Sequence, residues 1–193
     1  MDTLNRFILE LDSVSYSINQ KKLINNISVK INAGDIVSIV GPNGSGKSTL
    51  VKLISTEILP TSGNIIFNGT NNNDWSSKDL ALKRSVLAQS SHLSFSFSVL
   101  DIIKMGLYPS DMSGNIYDGN LIDRLLGVFD LKGYSNRIYT TLSGGEQQRV
   151  QLARVIAQIS SEDNFEDKLL ILDEPTSYLD IKHQLSLFEF LKK

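Results

Sequence analysis

A glycine-rich segment near the start of the chain has the residue types needed to bind a phosphate chain. It fits the pattern G-x-x-x-x-G-K-[ST] and comprises Gly41, Pro42, Asn43, Gly44, Ser45, Gly46, Lys47, Ser48 and Thr49. Its glycines allow backbone angles that a Cβ would forbid, so that successive N–H groups can converge on an anion. Lys47 can reach the β- and γ-phosphates, and the Ser48 hydroxyl can ligate Mg²⁺. The pattern predicts a nucleotide-binding protein.

The segments on either side of this loop predict how it is held. Residues 36–40 read Ile-Val-Ser-Ile-Val, a β-branched apolar run typical of a buried strand. Residues 47 to about 57 have helical spacing until Pro60 prevents continuation. The start of that helix adds partial positive charge and free N–H donors. This order of strand, loop and helix disfavours an ordinary glycine-rich turn.

Two acidic residues follow a second predicted buried strand. Residues 169–172 read Leu-Leu-Ile-Leu and are followed directly by Asp173 and Glu174. Ligands of open α/β sheets bind beyond the carboxyl ends of the strands, where these acids would project. Asp173 suits the Mg²⁺ shell, and Glu174 suits orienting or deprotonating an attacking water. Together with the phosphate loop, the pair indicates nucleotide hydrolysis rather than merely solvated charge.

A third segment predicts another anion-binding helix start. Residues 142–149 read Leu-Ser-Gly-Gly-Glu-Gln-Gln-Arg, and Ser143 and Glu146 have the spacing of a capping box. Two consecutive glycines weaken a helix, so a well-capped helix alone does not explain Gly144 and Gly145. We interpret them as giving an anion unobstructed access to the free N–H groups.

The remaining pattern predicts an α/β fold. Residues 6–31 form short strand-like runs broken at Asn19-Gln20 and Asn25-Asn26, and residues 63–69 resemble one more short strand. An antiparallel sheet is therefore expected around the first α/β unit. Residues 90–142 have apolar residues at helical spacing and are predicted to be a helical insertion. A last helix is expected after Asp180.

Composition limits the class of protein. The chain has 193 residues, 41% hydrophobic and 21% charged, which is typical of one globular domain. A net charge of −2 gives no support for a nucleic-acid surface, and the absence of cysteine excludes disulfides and thiolate metal sites. No signal peptide and no membrane span is expected from the sequence.

At this point the residues resemble the ATP-binding cassette (ABC) ATPases over the whole chain. The segment 142–149 is similar to the family signature, which is more specific than the phosphate loop. Other matches are Gln89 with the Q-loop, Asp173 and Glu174 with Walker B, Asp180 with the D-loop and Tyr16 with the aromatic residue that stacks on adenine. The implied fold is a P-loop NTPase (RecA-like) core with an antiparallel β subdomain and a helical insertion at about 90–142.

The resemblance implies a set of roles for these residues. Catalysis would fall to Glu174, Lys47 and Gln89, and Mg²⁺ would be held by Ser48, Gln89 and Asp173. Two copies would face head to tail and enclose two ATP molecules. Each ATP would lie between one copy's phosphate loop and the other's helix start, with the residues Ser143, Gly144, Gly145, Glu146 and Asp180 contributing.

The same resemblance implies a membrane partner. A groove near residues 90–110 would receive a helix of a transmembrane permease on the cytoplasmic face of the inner membrane. Residues 74–76, 88–99 and 151–158, with His183, are similar to the haem (hemin) importer ATPases. A periplasmic haem-binding protein would then be an indirect partner, and nucleic acid would not be one.

Three alternatives remain. The first is import of a ferric siderophore or cobalamin by the same class of ATPase. The second is a nucleotide-binding module without hydrolysis. The third is a DNA-repair or translation cassette ATPase, although the long insertions or basic linkers typical of those proteins are not visible in this sequence.

One departure from the family bears on hydrolysis. The family carries a switch histidine on a strand after the D-loop helix, and neither His92 nor His183 lies at the matching position. We therefore expect a single ATPase domain over residues 1–193 that is truncated at its C-terminus. Loss of that strand would leave residues 36–40 and 169–172 without a partner in the middle of the sheet.

Overall fold

The structure is a computed structural model that describes residues 7–88, 95–113, 120–160 and 167–191. The chain divides into two compact units, residues 1–83 with 166–169 and residues 84–165 with 170–193. The predicted Q-loop residue Gln89, and His92, lie outside the described residues.

The first unit is built on an antiparallel sheet. Strands β1 (Phe7–Ile18) and β2 (Lys21–Asn32) form a long hairpin, to which β3 (Ser62–Phe67) and β4 (Thr70–Asn71) are added in the order β2-β1-β3-β4. The predicted antiparallel sheet is therefore confirmed. Its inner face, together with two helices, forms a core that includes Leu9, Leu11, Val14, Leu53, Ile65 and Phe67.

The hairpin corrects one turn prediction. Asn19 and Gln20 form the turn, both with positive φ, as the sequence predicts. Asn25-Asn26, in contrast, lies inside β2 and does not break it. Asn26 has φ of 51°, and its N–H donates to the Ser15 hydroxyl at 2.9 Å. That side-chain acceptor satisfies the amide where the ladder is irregular, so the strand continues past it.

Two helices complete the first unit. Helix α1 (Lys47–Ile54) follows the phosphate loop and buries Leu50, Leu53 and Ile54. Helix α2 (Ser77–Lys83) begins after Ser76, whose hydroxyl accepts the Asp79 N–H at 3.1 Å in the manner of an N-cap residue.

Residues 36–40 are not a buried strand, which corrects the prediction from sequence. They have no regular secondary structure, and the side chains of Ile36 and Val40 are 58% and 91% exposed. A β-branched run supplies strand propensity, but a strand also needs a neighbour to complete its hydrogen-bond ladder. Neither sheet formed by the described residues includes this run.

The second unit is mainly helical. It contains α3 (Val99–Ser113), α4 (Leu121–Val128), α5 (Gly144–Ile159) and α6 (Ile181–Leu191). Strands β5 (Arg84–Leu87) and β6 (Leu169–Leu172) pair in a two-stranded parallel sheet. Strand β6 is only partly buried, with Ile171 its one buried residue, which also differs from the fully buried strand predicted.

The core of the second unit is formed by apolar faces of its helices. It includes Val99, Ile103, Leu125, Val150 and Ile156, with Leu187 of α6. Helices α3 and α5 approach so closely that a Cβ on Gly106 would meet the Arg154 carbonyl oxygen. A residue without a side chain is therefore required at this crossing.

Helices α3 and α4 fall within the range 90–142 of the predicted insertion. The division into one domain with an inserted helical part stays a prediction. Among the residues described, no helix combines the length and the hydropathy needed to cross a membrane.

Candidate nucleotide site

The phosphate loop ends in a helix start that is open to an anion. Gly46 is the N-cap of α1, with φ of 97°, and no side chain caps the helix. The N–H groups of the first turn of α1 therefore face outward as donors, with the partial positive charge of the helix behind them. This arrangement suits a phosphate group, and it is the feature of the structure that fits a bound nucleotide.

Gly46 is also required by its neighbours. A Cβ at this position would lie 2.7 Å from the Leu23 carbonyl oxygen and 3.0 Å from Cδ1 of Ile24. Ile24 in turn is paired with Tyr16 across the hairpin. The predicted adenine-stacking residue Tyr16, which is half-buried, and the end of the phosphate loop therefore both lie next to Ile24.

Lys47 is folded back onto its own loop. Its Nζ donates to the carbonyl oxygens of Gly41 at 2.8 Å and Pro42 at 2.9 Å. Residues 41–45 are exposed, whereas residues 46–49, including Ser48 and Thr49, are half-buried at the helix start. The ammonium group is thus held beside the loop by two carbonyl oxygens that phosphate oxygens can replace.

The two acids lie at the carboxyl end of β6, as predicted. Asp173 is half-buried, and its N–H donates to the Leu87 carbonyl oxygen at 2.9 Å, which continues the pairing with β5. Glu174 is exposed and has φ of 48°, a left-handed conformation that costs about 1 kcal/mol for a residue with a Cβ. The Ser177 hydroxyl donates to the Glu174 carbonyl oxygen at 3.0 Å and to its Oε2 at 3.3 Å. The turn thus presents the Glu174 carboxylate at the end of the strand.

The capping box at the start of α5 is formed. Ser143 donates from its backbone N–H to Glu146 Oε2 at 2.7 Å and from its hydroxyl at 2.8 Å, while the Glu146 N–H donates back to the hydroxyl at 3.4 Å. These hydrogen bonds, first the one from the Ser143 backbone, hold the pKa of Glu146 below its ordinary value. The hydrogen-bonding groups of the Ser143 and Glu146 side chains are therefore paired with each other.

The glycines of this helix start have a function that the sequence interpretation missed. A Cβ on Gly145 would lie 2.8 Å from the Tyr178 carbonyl oxygen, whereas one on Gly144 would make an ordinary 3.7 Å contact with the Tyr178 ring. Gln148 also donates to the Pro175 carbonyl oxygen at 3.2 Å. The start of α5 is therefore packed against the turn that follows the two acids.

Arg149 was predicted only as a member of the signature, and its contact with His183 was not foreseen. Its Nη1 lies 3.0 Å from His183 Nε2, and His183 Nδ1 lies 2.7 Å from Asp180 Oδ1. The sequence does contain a relevant signal, because His183 follows Asp180 by three residues, which places both on one face of a helix start.

The predicted site residues fall into two groups. Tyr16 and residues 41–49 belong to the first unit, and the second unit contains Asp173, Glu174, Asp180 and residues 143–146. No group of three or more His, Cys, Asp or Glu side chains that could hold a metal ion occurs among the described residues. The predicted Mg²⁺ ligands are of another kind. The Ser48 hydroxyl and the Asp173 carboxylate supply oxygen atoms, which suit a Mg²⁺ ion whose remaining ligands are water and phosphate.

Comparison with known proteins agrees with these observations. A family model described as ABC transporter matches residues 24–177. The chain is 41% identical over 187 residues to a hemin import ATP-binding protein, HmuV, of Rhizobium meliloti, covering 96% of this chain and 71% of that protein. It is 42% identical over 186 residues to the HmuV protein of a Ruegeria species, covering 96% of this chain and 70% of the relative.

Solved structures show the same fold. A bacterial Atm1-family ABC exporter with ATP bound is similar with a TM-score of 0.81 and 23% identity, over 99% of this chain and 33% of the exporter chain. The ATP binding subunit of an ABC transporter is similar with a TM-score of 0.80 and 21% identity, over 96% of this chain and 73% of that chain. This chain therefore spans a third of the exporter chain and about seven tenths of the subunit.

Proposed function

The chain belongs to the ABC transporter family, and from that premise we propose that it is the ATP-binding and ATP-hydrolysing subunit of an importer that energises haem uptake. The observation that carries nucleotide binding is the uncapped start of α1 behind the glycine loop, with Lys47 held beside it. Backbone donors, a helix dipole and one cation converge there on a single anion.

Each remaining residue has a part in this proposal. Tyr16 stacks on the adenine. Mg²⁺ is held by Ser48, Asp173 and Gln89. Glu174 orients or deprotonates the attacking water. Bound Mg²⁺ supplies charge neutralisation between the β- and γ-phosphates. The exposed carboxylate at the end of β6 supports the role of Glu174, because a general base must be able to reach solvent water.

The proposed assembly is a head-to-tail pair of copies. One copy's phosphate loop and the other's residues 143–146, with Asp180, enclose each ATP. Closure around the γ-phosphate and opening after hydrolysis then drive a permease at the cytoplasmic face of the inner membrane, with a periplasmic haem-binding protein as an indirect partner. Support for this assembly comes from the family to which the chain belongs.

Haem is the proposed cargo because the two relatives described above are named for hemin import. A ferric siderophore or cobalamin is the second candidate. The chain's resemblance to a class of importers supports both, and the subgroup similarity of residues 74–76, 88–99 and 151–158 favours haem together with the names of these relatives.

The test of nucleotide chemistry uses three variants of the purified chain. Lys47→Ala is expected to weaken Mg·ATP binding by about tenfold or more, because it removes a charge-assisted contact to phosphate. Lys52→Ala is the matched control, since Lys52 is on the same helix but pairs with Glu57 at 3.3 Å. Glu174→Gln is expected to keep ATP binding and to lower kcat by about 100-fold or more. Binding is measured by calorimetry and turnover by phosphate release.

Each result has a defined meaning. Equal ATP binding by wild type and Lys47→Ala would contradict the phosphate-loop assignment. ATP binding without turnover in the wild type would favour the nucleotide-binding module over the hydrolase.

The cargo is tested separately. The gene is expressed in a bacterium that retains a haem permease but lacks its own haem-import ATPase, with haem as the iron source. Growth that depends on Lys47 supports the proposal. Growth restored on a ferric siderophore in the matching siderophore strain, and not on haem, would transfer the assignment to the second candidate.

A further inference from the structure

We propose that His183 is a positioning residue for Asp180: as a neutral imidazole protonated at Nδ1, it links the Asp180 carboxylate to Arg149 of α5, and protonation of the ring releases that link. The inference concerns a residue outside the predicted catalytic set. It rests on the proposed function only where turnover is the readout.

The hydrogen-bond geometry determines the tautomer. Arg149 has only donors on its guanidinium, so its Nη1, at 3.0 Å, must donate to His183 Nε2. Nε2 is then unprotonated, and the ring proton is on Nδ1, which donates to Asp180 Oδ1 at 2.7 Å. The backbone N–H of His183 donates to the same carboxylate oxygen at 2.9 Å. Asp180 is thus held by two donors from one residue.

The hydrogen-bonded chain Arg149–His183–Asp180 forms a relay whose inner part is buried. The side chains of Arg149 and His183 are only 11% and 14% exposed, whereas that of Asp180 is 66% exposed. Arg149 Nη1 also lies 3.0 Å from the carbonyl oxygens of Phe129 and Asp130, so its two hydrogens serve three acceptors, one hydrogen being shared, and the guanidinium is fixed. A fixed, buried arginine and imidazole therefore hold a carboxylate that faces solvent. The hydrogen bonds from His183, first the one from its backbone, hold the pKa of Asp180 below its ordinary value.

The charges around the ring determine what protonation does. These are Asp180 directly before α6, Lys182 on α6, Arg149 on α5 and, after α4, Asp130. The Asp130 Oδ2 lies 3.7 Å from His183 Nε2 and 3.4 Å from Lys182 Nζ. A proton on Nε2 would point at the donors of Arg149 and could be accepted only by Asp130. Protonation therefore breaks the hydrogen bond between Arg149 and Nε2, whereas Nδ1–H remains a donor to the Asp180 carboxylate, which attracts the cation.

The consequence reaches the start of α5. Tyr178, two residues before Asp180, is packed against Gly145. The Asp180 end of the D-loop is anchored through His183 to Arg149, and the Tyr178 end is anchored at Gly145, so both anchors are on α5. Loss of the first removes one of these two anchors, so the position of the Asp180 carboxylate relative to the signature is held less firmly.

The first test reads the tautomer and requires no hydrolysis. The full chain is labelled with ¹⁵N-histidine, and since it contains two histidines, His183→Asn assigns the His183 resonances. The neutral ring is expected as the Nδ1–H tautomer, the minor form of free imidazole, and on acidification the amide resonances of residues 177–180 are expected to shift together with those of the ring. An Nε2–H tautomer, or D-loop amides that do not follow the ring, would overturn the proposal.

The second test uses the pH profile of ATP turnover. Wild type is expected to lose about tenfold on protonation of the ring, the equivalent of one charge-assisted hydrogen bond. His183→Asn keeps an N–H donor near the Nδ1 position, but it has no acceptor for Arg149 and cannot be charged, so its turnover is expected to fall by about tenfold at neutral pH with no further loss in acid. His183→Leu is expected to lose about tenfold at all pH values.

The matched control is Ser186→Ala, which removes a hydrogen bond of the same helix, to the Lys182 carbonyl oxygen at 3.1 Å, without contacting the relay. It is expected to keep the wild-type pH profile. An acid loss that persists unchanged in His183→Asn would refute the positioning role. Absence of turnover in every form would instead refute hydrolysis by this chain, and the tautomer would still decide the proposal.

Discussion

Replacing each glycine of the α5 start by alanine separates two reasons for having glycine there. If anion access were the only reason for these glycines, Gly144→Ala and Gly145→Ala would weaken nucleotide binding but would have equal stability in the absence of nucleotide. The structure predicts that they differ. A Cβ at residue 144 makes an ordinary contact with the Tyr178 ring at 3.7 Å, but a Cβ at residue 145 lies 2.8 Å from the Tyr178 carbonyl oxygen.

The expected magnitudes follow from these distances. Alanine in a helix gains up to about 1 kcal/mol over glycine, and Gly144→Ala should keep most of this gain. At Gly145 a backbone oxygen must move, and such overpacking costs about 1–3 kcal/mol, which exceeds the gain. We therefore expect Gly145→Ala to unfold more easily than Gly144→Ala by about 1–3 kcal/mol, or about 2–12 °C in Tm for a chain of this length.

The assay is urea unfolding of both variants in the absence of nucleotide, followed by circular dichroism, with the slope of free energy against urea as a check that the unfolded state is unchanged. Amide exchange at residues 177–180 gives a local readout of the same displacement. Equal stability of the two variants would refute the packing argument and leave anion access as the reason for both glycines.

Two further predictions concern the same helix and its neighbour. Glu146→Gln should lower the free energy of unfolding at neutral pH and not in acid. The reason is that hydrogen bonds from Ser143 lower the pKa of Glu146 in the folded chain. The stabilisation is therefore present above the ordinary carboxyl pKa of about 4.3 and is lost as the pH falls through the pKa of the folded state. Urea unfolding from pH 7 to 3 checks this, and a difference that grows toward acid would contradict it. Gly106→Ala should destabilise the chain by about 1–2 kcal/mol because its Cβ meets the Arg154 carbonyl oxygen, whereas Gly127→Ala, which meets only the end of the Lys132 side chain at 3.3 Å, should be neutral or stabilising by up to about 1 kcal/mol. The order of the two melting temperatures decides, and a more stable Gly106→Ala would refute the close crossing of α3 and α5.

Local patterns in the sequence were sufficient for much of the fold. The helix after the phosphate loop, the capping box of α5 and the hairpin of β1 and β2 depend on residues close in sequence, and each was confirmed. The strand before Asp173 also forms, although it is less buried than predicted. The family followed from short motifs for the same reason, because a phosphate loop or a signature is read within eight or nine residues.

The residues 36–40 show where local pattern fails. Their composition is that of a buried strand, yet they are exposed and outside both sheets formed by the described residues. Propensity belongs to the segment itself, but a strand's hydrogen bonds belong to a neighbour that sequence spacing does not specify.

The sequence by itself determined which residues can do chemistry: the glycines and Lys47 that suit phosphate, the acids after β6, and the capped start of α5. Only the tertiary structure decided how those residues are held. It placed the Tyr178 carbonyl oxygen against Gly145 and brought Arg149 to within 3.0 Å of a histidine 34 residues away. Such contacts depend on the path of the chain between distant segments, and a short motif contains no record of that path.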